Sequence, residues 1–223
     1  MAPRIVVSYD GTPDDDDAIA LGKVLADAGA SVALAYVRHS HLEDPAAEER
    51  ESQAAIRLLE HGGAQFDGEV QTYVLFNPST AAALVELIER EGFEIVVFGS
   101  SYRTPAGHIA PGRAAEQLLD GGPAAVGIAP AGFRLEDPHI DEVSVVFSQA
   151  GDAAEETAKS LAAGLGANLV ETFDPHADML VLASRAGAPQ GRVSITAHSE
   201  QLAEGADCPV LAVANGRPLD FGG

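Results

Sequence analysis

Short runs of β-branched and aliphatic residues alternate with longer stretches in which apolar positions recur every three or four residues, and this alternation sets the expected architecture. Residues 4–9 (RIVVSY) form the first run, with turn residues beside it, and are predicted to be a buried parallel strand. A loop follows at Asp10, Gly11, Thr12 and Pro13. Residues 14–17, four consecutive aspartates, then open a helix whose inward face carries Ile19, Leu21, Val24 and Leu25; acids suit the positive end of a helix dipole, and their expected role is a solvated helix start. Residues 32–37 are the second predicted strand. A long helix over 45–61 places Ile56, Leu58 and Leu59 on its apolar side, with Gly62 and Gly63 as its stop. Residues 70–75 form a third strand, Ser79 caps a helix running to position 90, and 94–98 form a fourth strand. A glycine-bearing loop, a helix over 114–119 and a strand over 124–129, starting just after Pro123, complete the series. Strands alternating with helices imply right-handed crossovers and an α/β fold with a doubly wound, parallel, five-stranded sheet covered on both faces.

The pattern then restarts. Residues 142–147 (EVSVVF) mirror the first strand, 152–165 the first helix and 168–172 the second strand. The middle of the unit is missing, because residues 179–183 already match the fourth strand; a helix near 199–203 and a strand over 210–213 close the copy. The expected organisation is a complete unit over 1–134 and a shortened, degenerate repeat over 135–223, with a charged linker containing Pro138.

Composition narrows the function. Of 223 residues, 46% are hydrophobic, enough for a buried core, and the formal charge is −21 with Lys23 and Lys159 as the two lysines. Such a chain is a poor match for phosphate backbones or anionic lipid, so neither nucleic acid nor a membrane surface is an expected partner. One cysteine, Cys208, can close no intramolecular disulfide and is expected as a small buried hydrophobe. The first residues enter a strand pattern at once, and the apolar runs are strand-sized, far below the ~20 residues that span a bilayer. The expected location is the cytoplasm.

Two segments almost ninety positions apart carry candidate chemistry: Asp10-Gly11-Thr12 after the first strand, and the loop 99–113 (GSSYRTPAGHIAPGR) after the fourth. Glycines let backbone amides approach phosphate oxygens, and the helix that begins after Gly112 adds the positive end of its dipole. The two segments resemble the universal stress protein family, whose phosphate loop has the form G-x-x-G-x(9)-G-[S/T], and residues 115–130 (AEQLLDGGPAAVGIAP) resemble its closing helix and strand. The resemblance implies an adenine-nucleotide alpha-hydrolase-like fold and a tandem chain. It implies that Asp10 supports the ribose or a metal ion, that backbone at Val37 meets the adenine, and that Gly11, Thr12, Gly99, Ser100, Ser101, Arg103, Gly107, Gly112, Arg113 and Ala114 surround the phosphates. Two positions depart from the pattern: Tyr102 stands at the second glycine, and Arg113 stands where a hydroxyl residue would touch phosphate. In the repeat, Ser148-Gln149 replaces the acid, and the loop 183–192 keeps only part of the glycine pattern. Pairing through the last strands, 124–129 with 210–213, is expected to make the chain an internal pseudo-dimer, or to pair two chains as a homodimer.

The remaining constellations are weaker. His39, His41, Glu43 and Asp44 fit no zinc spacing, Ser100 and Ser101 lie in no nucleophile elbow, and no P-loop lysine accompanies either glycine-bearing loop. His108 reads as an exposed loop histidine. The function that the resemblance implies is non-enzymatic binding of ATP or AMP with Mg²⁺. The rival is a nucleotide-free scaffold that acts through dimerisation or partner binding.

Overall fold

A computed structural model describes residues 2–41, 43–135, 138–147, 152–174 and 176–222. The first five strands are β1 (Arg4–Ser8), β2 (Ser31–Arg38), β3 (Gln71–Phe76), β4 (Ile95–Gly99) and β5 (Ala125–Ala129); the last four are β6 (Glu142–Val146), β7 (Asn168–Val170), β8 (Met179–Ala183) and β9 (Val210–Val213). They form one nine-stranded sheet in the order β3-β2-β1-β4-β5-β9-β8-β6-β7. Each part is internally parallel, and β5 meets β9 antiparallel, with Gly127 opposite Leu211. That junction is the pairing of last strands expected from the repeat, and it covers an edge that each part would otherwise expose.

The helices are α1 (Pro13–Asp27), α2 (Pro45–Gly63), α3 (Thr80–Glu91), α4 (Arg113–Leu119), α5 (Ala153–Leu165) and α6 (Ala197–Glu204). One face of the sheet packs on α1, α2 and α5; the other packs on α3, α4 and α6. Both cores run across the β5–β9 junction, which explains why the strands read as unbroken aliphatic runs. The chain end locks the first face. Leu219 and Phe221 are buried, their amides donate to Thr157 Oγ1 (2.9 Å) and Ser160 Oγ (2.8 Å) of α5, and the Phe221 carbonyl lies against Gly29 just beyond α1.

Helix α2 ends on Gly63, at the expected Gly62-Gly63 stop, and Gly62 has a second role: it is buried, and an added methyl would meet the Tyr9 ring at 2.7 Å and Leu34 at 3.0 Å. Its small size serves packing, which outweighs the roughly 1 kcal/mol that glycine costs inside a helix. Among the described residues, no helix is long and apolar enough to cross a membrane.

Candidate functional site

β1 and β4 are neighbours, but β1 leads through α1 to β2 on one side while β4 leads through α4 to β5 on the other. The loops leaving their carboxyl ends therefore diverge, and the crevice between them is where open α/β sheets receive ligands. Asp10, Gly11 and Thr12 leave β1 at this edge, and Gly99 ends β4. The two segments touch: a methyl group on Gly99 would lie 1.8 Å from the Asp14 carbonyl oxygen, so only glycine lets α1 seat on the strand end.

The β1 loop winds around Asp15. Asp15 Oδ2 accepts from the amides of Asp10 (3.1 Å) and Thr12 (2.9 Å) and from the Thr12 hydroxyl (2.7 Å), and the Asp15 amide donates back to Thr12 Oγ1. This reciprocal cap engages the Thr12 hydroxyl. Gly11 turns with φ 77°, and a methyl there would collide with Leu58 of α2 at 2.2 Å. Asp10 has a solvent-exposed side chain, yet desolvation by the surrounding protein, followed by the charge of Asp15, raises its pKa above the ordinary carboxylate value, with His39 acting against them. Desolvation also raises Asp15, opposed by its bonds from Thr12 and Asp10.

The aspartate run is not a uniformly solvated helix start. Asp16 accepts from the Tyr9 hydroxyl (3.3 Å) and Gln65 (3.2 Å), and desolvation followed by Asp16 pushes the Tyr9 pKa up to about 12. Asp17 is fully buried and accepts from the amides of Gly132 (2.8 Å) and Arg134 (3.0 Å) and from the Arg134 guanidinium (2.8 Å). It thereby pins the segment after β5 to α1. The signal was present, since Asp17, Leu21, Val24 and Leu25 share one helical stripe.

In the β4 loop, Ser100 is buried; its hydroxyl donates to the Ala129 carbonyl (2.8 Å) and accepts from the Ala110 amide (3.3 Å). The amide of Ser101 donates to the Ala110 carbonyl, and Gly107, at φ 82°, donates to Ala131. A methyl on Gly107 or Gly112 would meet nothing within 4 Å, and the same holds for Gly191, the counterpart of Gly107. Tyr102 is 77% exposed, with the guanidinium of Arg103 5.1 Å from its ring centre; Arg103 itself takes φ 74°. Arg113 opens α4 with an exposed side chain, and Ala114 is half-buried. Val37 is buried in β2 at the same sheet edge as Asp10.

The four residues weighed as metal ligands have separate partners or settings: His39 Nδ1 lies 3.1 Å from the Asn77 carbonyl, His41 stacks on Phe76, Asp44 caps α2 and Glu43 is exposed. Sequence reasoning missed Arg38, a buried guanidinium gripped by both oxygens of Glu48 at 2.8 Å, which fixes the corner between β2 and α2. Cys208 is buried, and desolvation pushes its thiol up to about 12.

The corresponding loop of the second part follows the same path at a constant spacing of 84 residues. Ser184 donates to Val213 (2.7 Å) and accepts from Ser194 (3.1 Å), and Gly191, at φ 72°, donates to Asn215. Its chemistry differs. Ala183 stands at the place of Gly99, and Thr196 caps α6 where Gly112 precedes α4. The crevice beside Asp152, Ser184 and Asn215 encloses about 40 Å³, close to the share of one water molecule. Ser148 and Gln149, expected at the place of Asp10, lie outside the described residues.

The model of the universal stress protein family matches residues 1–130. Among solved structures, a universal stress protein from Archaeoglobus fulgidus DSM 4304 covers 95% of this chain and 98% of its own, with a TM-score of 0.69 at 14% identity. A universal stress protein from Pseudomonas aeruginosa UCBPP-PA14 covers 96% and 94%, with a TM-score of 0.63 at 13% identity. At these identities the structural likeness speaks for the fold. No curated protein matches the chain.

Proposed function

The chain belongs to the universal stress protein family, and on that footing we propose that it binds an adenine nucleotide, ATP or AMP with Mg²⁺, in the β1–β4 crevice and holds it without turning it over. Asp10 would meet the ribose or the metal ion, backbone at Val37 the adenine, and the amides from Gly107 to Ala114 the phosphates. Ser101, Arg103 and Arg113 border the same loop. The observation that carries the reading is Tyr102: its ring is turned to solvent beside Arg103 and is not packed into the protein. The exposed guanidinium of Arg113 supplies a forked cationic contact in place of a hydroxyl. Mg²⁺ would relieve the raised carboxyl of Asp10 and the neighbouring Asp15. A binding role fits the hydroxyls: Thr12 is held in a helix cap, and Ser100 in the loop scaffold.

In this reading residues 1–134 carry the ligand in the cytoplasm, and 135–223 are a shortened copy that covers the edge of β5. A second reading, a ligand-free scaffold, is favoured by Leu58, which occupies the space beside Gly11. Calorimetric titration of ATP, ADP and AMP with Mg²⁺ separates them. Nucleotide binding predicts one saturable site per chain, whereas no heat at millimolar ligand leaves the scaffold.

A further inference from the structure

Where the two parts meet, a cavity of about 690 Å³ opens between the end of α3 and the second-part loop, within the 300–1,000 Å³ range of small-molecule sites. It is lined by Glu89, Phe93 and Glu94 of the first part and by Gly191, Arg192, Gly216 and Arg217 of the second, with Arg192 and Glu89 ion-paired at 3.4 Å. Because β5 and β9 are antiparallel, the carboxyl ends of the second part's strands lie beside the amino ends of β4 and β5. The cavity is thus at the opposite end of the sheet from the β1–β4 crevice. It also lies beyond the 40 Å³ crevice of the second part, reached from the other side of the same loop.

Two of the residues that differ between the loops line this cavity. At the 84-residue spacing, Arg192 stands for His108 and Arg217 for Phe133. Arg192 Nη1 is 3.4 Å from the Gly121 carbonyl and Nη2 is 3.4 Å from Glu89 Oε1; Arg217 Nη1 is 3.3 Å from the Pro123 carbonyl. The Glu89 contact is an ion pair, so an oxyanion would share Arg192 with Glu89, and these contacts leave the remaining N–H donors of each guanidinium to a ligand. Two forked cations lining one cavity match a phosphate or carboxylate. The carboxylates in the same lining set the other half of the specificity. Glu89 and Glu94 repel a second anionic group and attract an ammonium.

We infer that this cavity binds a small amphoteric oxyanion, with its phosphate or carboxylate head on Arg192 and Arg217 and its ammonium end toward Glu89 and Glu94. The test titrates the full chain with phosphoethanolamine, β-alanine and inorganic phosphate to about 20 mM, following backbone amides by NMR. Saturable binding of phosphoethanolamine or β-alanine that shifts Gly191 and Gly216 is expected, and whichever binds identifies the head group. R192Q/R217Q should weaken it by about tenfold or more. Glu89→Gln should weaken the amphoteric ligand and strengthen inorganic phosphate, an opposed pair of effects that a folding defect would not produce. Absence of saturable binding by both amphoteric probes, affinity unchanged in R192Q/R217Q, or the same direction of change for both ligands in Glu89→Gln overturns the inference.

Discussion

Loops 99–132 and 183–216 share their path, their buried serine and their left-handed glycine, yet they differ at the strand end and at the helix start. In the first, Gly99 lets α1 rest on the strand end, Gly112 precedes α4 without a side-chain cap, and Asp10 follows β1 at the same sheet edge. In the second, a methyl group at Ala183 and a hydroxyl cap at Thr196 occupy the corresponding places, and the crevice beside Asp152 and Ser184 measures about 40 Å³. The hydrogen-bonded scaffold of the loop therefore persists with different residues at the strand end and at the start of the helix. What the second loop keeps is a role at the junction, where its outer side presents two arginines.

The helix that follows the first strand of each part shows the same division. Asp17 of α1 pins Gly132 and Arg134; Thr157 of α5 pins Leu219, at the matching place in the second part. The first anchor is a buried carboxylate with three donors, and the second is a neutral hydroxyl. Asp17→Ala should cost about 3 kcal/mol of stability, and Thr157→Ala about 1 kcal/mol, as measured by chemical denaturation. Equal losses would break the comparison.

A smaller effect separates Gly99 from Ala183. Gly99→Ala drives a methyl into the Asp14 carbonyl and should cost about 2 kcal/mol or more, whereas Ala183→Gly should cost about 1 kcal/mol, through backbone entropy and one lost methyl. Thermal melting of the two variants would show whether the close approach of α1 is specific to the first loop.

The smallest effect carries a sign. Because the folded-state pKa of Asp10 is raised, the folded chain holds that proton more readily than the unfolded chain, and stability falls as pH rises through the window above 3.8. Asp10→Asn should therefore melt higher than the parent at neutral pH, with the gain vanishing as pH falls below 3.8. The same variant should lose Mg²⁺-nucleotide affinity, so that stability and binding move in opposite directions. A lower melting temperature at neutral pH would contradict this.

Much of the fold was legible because strands buried on both faces appear as aliphatic runs, and because β5 and β9 occupy equivalent places in a repeat. The crevice was legible from Asp10 and the spaced glycines. Other features depended on contacts between distant segments. The sequence shows Gly62 as part of a helix stop but not the need of Tyr9 and Leu34 for its space, and Asp17 is hidden within a run of like charges. Leu58 met Gly11 only through the packing of α2, and Arg192 and Arg217 found a common cavity only across the β5–β9 junction.

The central claim is that one crevice of the two is open to nucleotide. An NMR titration of the full chain with Mg²⁺-ATP tests it directly: amides of Gly11, Ser101, Gly107 and Ala114 should shift together and saturate, while those of Ala154, Glu155 and Ala186 stay in place. Saturating shifts confined to the second group, or no movement in the first, would contradict it.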